Sequence, residues 1–174
     1  LIGQLSVKPF IKWLNFGQAS NGQQNYNFGL WNYCNEVGGE VQNCQHPTPA
    51  YNWATAPGIS QALPNQASSS STKRTFMALF CLYFIGTGFS FLLWLASLSV
   101  CCVRRRACGV SMTTLIFINF LVMLAALICA LVVTLRGIHL LSGAGQGWSG
   151  HAGYSMWMTI GAVVALFLSW LCYT

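Results

Sequence analysis

Cysteines are the most reactive side chains of this sequence, which contains eight of them. Only Cys34 and Cys44 lie in the polar first part of the chain, and a short stretch separates them. Outside the cytosol, such a pair favours a disulfide that closes a hairpin and contributes about 2–4 kcal/mol to a small fold. A metal site made with His46 lacks a fourth ligand at a usual spacing, and free thiols are the remaining interpretation.

A second group of cysteines flanks a short basic turn: Cys101, Cys102 and Cys108 around Arg104, Arg105 and Arg106. Cysteines beside a membrane are suited to reversible S-palmitoylation, and each arginine there attracts anionic lipid by about 1 kcal/mol. Cysteine is also a small apolar residue that suits a helix end, so both interpretations stay open. Cys81, Cys129 and Cys172 lie inside apolar runs, where we expect them to pack.

Acid–base chemistry has few candidate groups. Glu36 and Glu40 are the only acids, and both lie near the cysteine pair. Enzymes need placed acids, bases or nucleophiles, and transporters usually place ionisable residues inside their spans. We therefore predict a non-enzymatic protein with no catalytic residue, no cofactor and no small-molecule substrate. His139 and His151 flank a glycine-rich segment, where a pH sensor is a weaker hypothesis than ordinary exposed histidines.

The composition is that of a membrane protein. Of 174 residues, 55% are hydrophobic and 6% are charged, against roughly 45–50% and 25% in soluble domains. Lipid must therefore replace water over much of the surface. The net charge is +6, but the basic residues are scattered or lie beside apolar runs. This placement favours anionic lipid headgroups as partners and argues against nucleic acid.

Three apolar runs can each cross the membrane as a helix. The runs 76–100, 112–135 and 154–173 contain no charged side chain, and each can span about 30 Å of hydrocarbon. Asn119 lies inside the second run, where a hydrogen bond between helices is favoured over the lining of a polar path. The domains are thus 1–72 and 73–174, with a serine-rich stretch at 66–72 that is typical of a flexible joint.

The first domain has the pattern of a small sheet. Residues 4–7 and 25–31 alternate polar and apolar side chains, as half-buried strands do. About seventy residues hardly make a self-sufficient core, so this domain needs a staple or a membrane domain to rest on. We predict a membrane α-helical bundle with a small antiparallel β-sheet.

Basic residues alone do not orient the chain. The turn 104–106 balances Lys73, Arg74 and Arg136, which flank the runs on the opposite side. Two further observations decide between the two orientations. The three arginines are clustered in one very short turn, and the cysteine pair favours an oxidising compartment for residues 1–72. We expect the arginine turn in the cytosol and residues 1–72 outside the cell.

The cysteine pair belongs to a larger pattern. Trp13, then Gly29-Leu30-Trp31, then Cys34 and Cys44 resemble the W…GLW…C…C signature in the first extracellular loop of the claudin superfamily. Trp13 lies somewhat closer to the motif than in most claudins. The continuation 44–51, with Cys-Gln-His-Pro and then Pro-Ala-Tyr, is similar to fungal PalI-type and eisosome-associated plasma-membrane proteins.

The resemblance implies a claudin-like four-helix bundle with the signature loop outside the cell and the arginine turn in the cytosol. Its first span would precede Leu1. It also implies that Gly29, Leu30 and Trp31 anchor the loop at the membrane interface, whereas an ordinary buried tryptophan in a small sheet is the alternative.

The resemblance further implies a multi-pass plasma-membrane protein that organises a membrane domain or an assembly linked to the cell wall or cortex. Its partners would be membrane lipids and other membrane proteins, in a homo-oligomer or a larger complex. The alternative is an auxiliary subunit of a larger channel or membrane enzyme, similar to the gamma subunits of calcium channels. A pore or barrier former is less favoured, because the loop carries little charge to select ions.

Overall fold

The computed structural model describes residues 14–22, 24–100, 106–144 and 147–173. The strands in this part of the chain are β1 (Gly17–Ser20), β2 (Asn25–Phe28), β3 (Tyr33–Val37), β4 (Glu40–Cys44) and β5 (Ser149–Ala152). The helices are α1 (Ile59–Ala62), α2 (Pro64–Ala67), α3 (Ser70–Val100), α4 (Arg106–Gly143) and α5 (Tyr154–Tyr173), preceded by a 3-10 turn at Trp53–Thr55.

Three of the helices, α3, α4 and α5, are long and apolar enough to cross a membrane. Large apolar side chains remain exposed on each of them, including Leu92 on α3, Ile128 on α4 and Trp157 on α5. Such a surface is stable only against lipid, because water would have to solvate it. The predicted fold class, a membrane bundle with a small antiparallel sheet, is confirmed.

The first and second of these helices are longer than the apolar runs indicate. α3 begins at Ser70, so the predicted flexible joint at 66–72 is wrong: it contains part of α2 and the first residues of α3. The Ser69 hydroxyl accepts a hydrogen bond from the Thr72 N–H at 3.5 Å, as a helix N-cap does. The serine run thus starts the helix.

α4 continues past Leu135 to Gly143, so residues 136–143 are helical and not loop. Leu141 on this extension is buried and packs in the same cluster as Tyr26 and Phe28 beneath the sheet. Since a glycine inside a helix costs only about 1 kcal/mol, this packing is enough to continue the helix through Gly137.

The sheet has five antiparallel strands in the order β4-β3-β2-β1-β5. Four of them come from the first domain, and β5 comes from the segment between α4 and α5. The predicted strand 25–31 is shorter, because β2 ends at Phe28 and the Gly29 N–H donates to the Asn32 carbonyl. The predicted strand 4–7 lies outside the described residues. Gly38 and Gly39 turn β3 into β4 with φ values of 65° and 81°, which glycine adopts without strain.

The sheet rests on the helices through two apolar clusters. In one, Phe16 and Leu30 from the sheet side meet Leu79 on α3 and Met123 on α4. In the other, sheet residues such as Phe28 meet Ile59 of α1 and Leu141 of α4. The small first domain therefore has the membrane domain beneath it as support, and it also has a staple.

Candidate interaction surface

The staple is a disulfide between Cys34 and Cys44. The two residues face each other in the register of β3 and β4, with their Cα atoms 4.0 Å apart. Cys34 is fully buried, whereas His46 is exposed. The bond uses the two thiols that the alternative metal site would need, so the pair serves to close the hairpin.

The Gly-Leu-Trp motif joins the sheet to the bundle. Leu30 is buried in the cluster that contains the helices, and the ring of Trp31 meets Phe80 on α3 edge-on at 4.7 Å between centroids. The carbonyl of Gly29 accepts a hydrogen bond from the indole N–H of Trp53 at 2.9 Å. The motif therefore packs on the helix ends. Trp13, the other residue of the predicted signature, lies outside the described residues.

Trp53 is a structural residue that the sequence analysis missed. Its ring stacks on Phe28 at 5.4 Å and meets Phe76 on α3 edge-on at 5.2 Å. The sequence did contain a signal for this packing role. Trp53 follows Tyr51 in a polar segment, where large aromatic side chains indicate packing against another part of the protein. Trp53 therefore contacts the Gly-Leu-Trp motif, the sheet and α3.

Asn119 makes a contact between two membrane helices. It is fully buried, and its Nδ2 donates to the Ser90 Oγ on α3 at 2.7 Å. A second polar contact, from the Tyr83 hydroxyl to the Thr159 Oγ1 at 3.2 Å, joins α3 to α5. The sequence analysis considered Asn119 alone, since a tyrosine and a threonine in an apolar run do not reveal that they face each other.

The cysteines and arginines of the basic turn have no described side chains. Cys101, Cys102, Arg104 and Arg105 lie outside the described residues. Arg106 and Cys108 lie at the start of α4, but their side chains are also outside the described part. S-palmitoylation at this turn therefore stays a prediction.

The two histidines that flank the glycine-rich segment lie in regular secondary structure. His139 is an exposed residue of α4, and His151 is an exposed residue of β5 opposite Gln18 of β1. Gln18 and His151 also line a polar hollow of about 440 Å³ on the sheet, together with Asn27 and Glu36. In this hollow the Asn27 Nδ2 donates to the Glu36 Oε2 at 2.9 Å.

Tyrosines of the inner strands β2 and β3 form an aromatic cluster with Tyr51. Tyr33 lies between Tyr26 and Tyr51, with ring centroids 5.7 Å and 5.6 Å away. Burial raises the pKa of Tyr51 to about 12; Tyr33 adds to this rise and a hydrogen bond with Thr55 opposes it. Burial also raises the pKa of Tyr26 and Tyr33. A raised pKa keeps each phenol neutral near neutral pH, which suits packing and does not activate the phenol as a base.

A family model described as the SUR7/PalI family matches residues 1–172 of the chain. The chain belongs to the SUR7/PalI family. This fungal, claudin-like family is the one that the Gly29–Cys44 pattern and its continuation at 44–51 indicated together, and it agrees with the apolar helices and the small stapled sheet. The comparisons with curated proteins and with solved structures gave no match.

Membership in the SUR7/PalI family makes this chain a claudin-like membrane protein whose helices contact lipid. Its described polar surface is concentrated on the sheet and on the loops around it. That surface and the lipid-facing helices are the regions through which the chain can meet partners.

Proposed function

We propose that the protein is a non-enzymatic, claudin-like plasma-membrane protein that organises a membrane domain or an assembly linked to the cell wall or cortex. Family membership carries this proposal. Three observations support it: the exposed apolar surfaces of α3, α4 and α5, the stapled sheet beyond them, and the use of the cysteine pair as a bond instead of a reactive site.

The sheet faces the outside of the cell in this proposal, and the basic turn at 104–106 faces the cytosol. A disulfide is stable in an oxidising compartment, and the clustering of three arginines in one very short turn favours the cytosol for that turn. The outer face of the sheet then meets the wall or neighbouring proteins, and the helices meet lipids and other membrane proteins.

A glycosylation site placed in the β3–β4 turn tests this orientation. Gly38 is exposed with a φ of 65°, and asparagine tolerates such an angle. The double substitution Gly38→Asn with Glu40→Thr creates an Asn-Gly-Thr acceptor in a chain whose sequence contains no Asn-x-Ser/Thr site. Expressed in a eukaryotic cell, this variant should gain a mass that an endoglycosidase removes. The matched control, Gly38→Asn with Glu40→Ala, should gain none. A fully inserted double variant that stays unglycosylated would place the sheet in the cytosol.

Native mass spectrometry of the full-length protein in lipid nanodiscs tests the organising role. We expect homo-oligomers with bound lipid, each chain carrying one reducible Cys34–Cys44 bond. A large partner at fixed stoichiometry would instead make the protein an auxiliary subunit of a channel or membrane enzyme and would refute the free-standing role. Chains without the bond would contradict the structure itself.

A further inference from the structure

A cavity of about 320 Å³ lies where the sheet, the short helices and the sheet-side ends of α3 and α4 meet. Its walls are largely apolar and aromatic and include Phe28, Trp53, Phe76 and Leu141. The ring contacts of Trp53 with Phe28 and Phe76 fix one wall. This volume is at the lower end of the range of about 300–1,000 Å³ that is usual for ligand pockets.

The cavity lies at the level of the membrane boundary. Phe76 starts the apolar run of α3, just after the basic residues Lys73 and Arg74. On α4, the cavity lining passes from the apolar Val132 to the charged Arg136, one turn further on. Val132 is 53% exposed and Arg136 is exposed too, so the edge of the cavity on α4 faces the surroundings of the bundle.

The polar groups of the cavity favour an anionic ligand. Arg136 is the only charged residue among those that line the cavity in the described part of the chain, and it makes no ion pair with a described carboxylate. The hydroxyls of Thr72 and Thr75 already donate to the Gln66 Oε1 and to the Ser71 carbonyl, so the amide nitrogen of Gln66 is the neutral donor that they leave in the lining. A guanidinium ion with free donors binds phosphate oxygens in a bidentate manner.

A buried threonine lies in the same lining. Thr134 is 4% exposed, and its Oγ1 has no hydrogen-bond partner among the described residues. The Oγ1 is itself closed off from the cavity space, so Thr134 contributes its methyl group to the lining and not a hydrogen-bond donor.

We infer that this cavity binds a membrane phospholipid whose headgroup carries a net negative charge. The headgroup lies on Arg136, and part of one acyl chain lies against Phe28, Trp53 and Phe76. The apolar walls select a lipid over a free phosphate ion. The inference requires membrane insertion only and does not depend on the organising role proposed above.

Competitive lipid retention tests this site. The full-length protein, purified and exchanged into nanodiscs of equal parts phosphatidylglycerol and phosphatidylcholine, is released for native mass spectrometry. We expect one retained phosphatidylglycerol per chain, with at least a tenfold preference over phosphatidylcholine. Inorganic phosphate at millimolar concentration should leave this lipid bound, and its displacement by phosphate would overturn a lipid site.

Two variants and one matched control separate the site from general lipid contact. Arg136→Gln keeps a polar, hydrogen-bonding side chain but removes the charge, so the preference for phosphatidylglycerol should disappear. Arg74→Gln removes an exposed charge at the same end of the bundle, but Arg74 does not line the cavity, so the preference should remain. Equal effects of these two substitutions would show that lipid merely surrounds the bundle and would overturn the inference.

Gly17→Val tests the apolar part of the cavity. A Cβ at Gly17 would lie 3.7 Å from the Trp53 ring and 3.9 Å from the Thr134 Cγ2, which are ordinary contacts. The added methyl groups should therefore fill space without unfolding β1, and retention of both lipids should fall at least fivefold. An intact Cys34–Cys44 bond verifies folding. Unchanged retention in a folded Gly17→Val variant would exclude this cavity as the site.

Discussion

At the scale of single residues, two tryptophans fix the sheet to the membrane helices. Trp31 meets Phe80, and Trp53 meets Phe76 while it donates a hydrogen bond to the Gly29 carbonyl. Aromatic pairs contribute about 0.5–1.5 kcal/mol beyond the area that they bury. These contacts hold the Gly-Leu-Trp motif on the helix ends and make its role structural.

The buried Tyr51 makes stability sensitive to alkaline pH. In the unfolded chain its phenol ionises near pH 10, whereas burial raises the folded pKa to about 12. The stabilisation is therefore complete below pH 10 and is lost as the pH rises from 10 to 12. The melting temperature of the wild type should fall more steeply over this interval than that of Tyr51→Phe. The exposed residue Tyr154 supplies the control, because Tyr154→Phe should follow the wild type. Parallel curves for all three proteins would show that Tyr51 is not buried as described.

Residue types predicted the disulfide but not the second tryptophan or the cavity. Two cysteines in a polar segment have few other roles, so their pairing is visible from composition and spacing. Trp53 and Thr134 gain their roles from residues far away in the chain, such as Phe28 and Gly17. No local sequence pattern predicts such long-range contacts.

At the scale of elements, α3 and α4 approach each other where small residues allow it. A Cβ on Gly86 would collide with the flexible side chain of Met123, which would then have to move. One turn further along α3, Ser90 accepts the hydrogen bond from Asn119. In lipid, packing and interhelical hydrogen bonds of this kind hold helices together.

A double-mutant cycle measures that hydrogen bond. Asn119→Ala and Ser90→Ala should show a coupling energy of about 0.6–2 kcal/mol in the free energy of unfolding in detergent, as interhelical hydrogen bonds do. Ser97 supplies the control, because its hydroxyl donates to the Trp94 carbonyl within α3. Asn119→Ala and Ser97→Ala should be additive within about 0.5 kcal/mol. Additivity in the first cycle would refute the contact.

Apolar runs predicted that the helices exist and where α3 ends, but not where α3 begins or where α4 begins and ends. Helix α4 extends to Gly143 because Leu141 packs beneath the sheet, and such packing is tertiary. Strand β5 has the sequence Ser-Gly-His-Ala, which lacks β-branched and aromatic residues. It is a strand because it pairs with β1, and Gly150 suits it because a Cβ there would crowd Ile138 of α4.

At the scale of the whole molecule, the segments on either side of α3 and α4 form one sheet. Residues 17–44 supply four strands, and the segment between α4 and α5 supplies the fifth. This arrangement ties the segment before α3 to the segment after α4 at one end of the helices. It also places His151 next to Gln18 in the polar hollow of the sheet. Both the outer surface and the lipid cavity depend on this sheet.

The most direct test of this account is a disulfide engineered between β1 and β5. Gln18 and His151 are partners in the register, and directly opposite Cβ atoms lie about 4.5–5.5 Å apart in antiparallel strands, close to disulfide range. The variant Gln18→Cys with His151→Cys should form a bond in intact cells without added oxidant, and peptide mapping under non-reducing conditions should detect it. The control Gln18→Cys with Ser149→Cys is out of register and should link far less. Equal linking of the two variants, or none in the first even with added oxidant, would contradict the shared sheet.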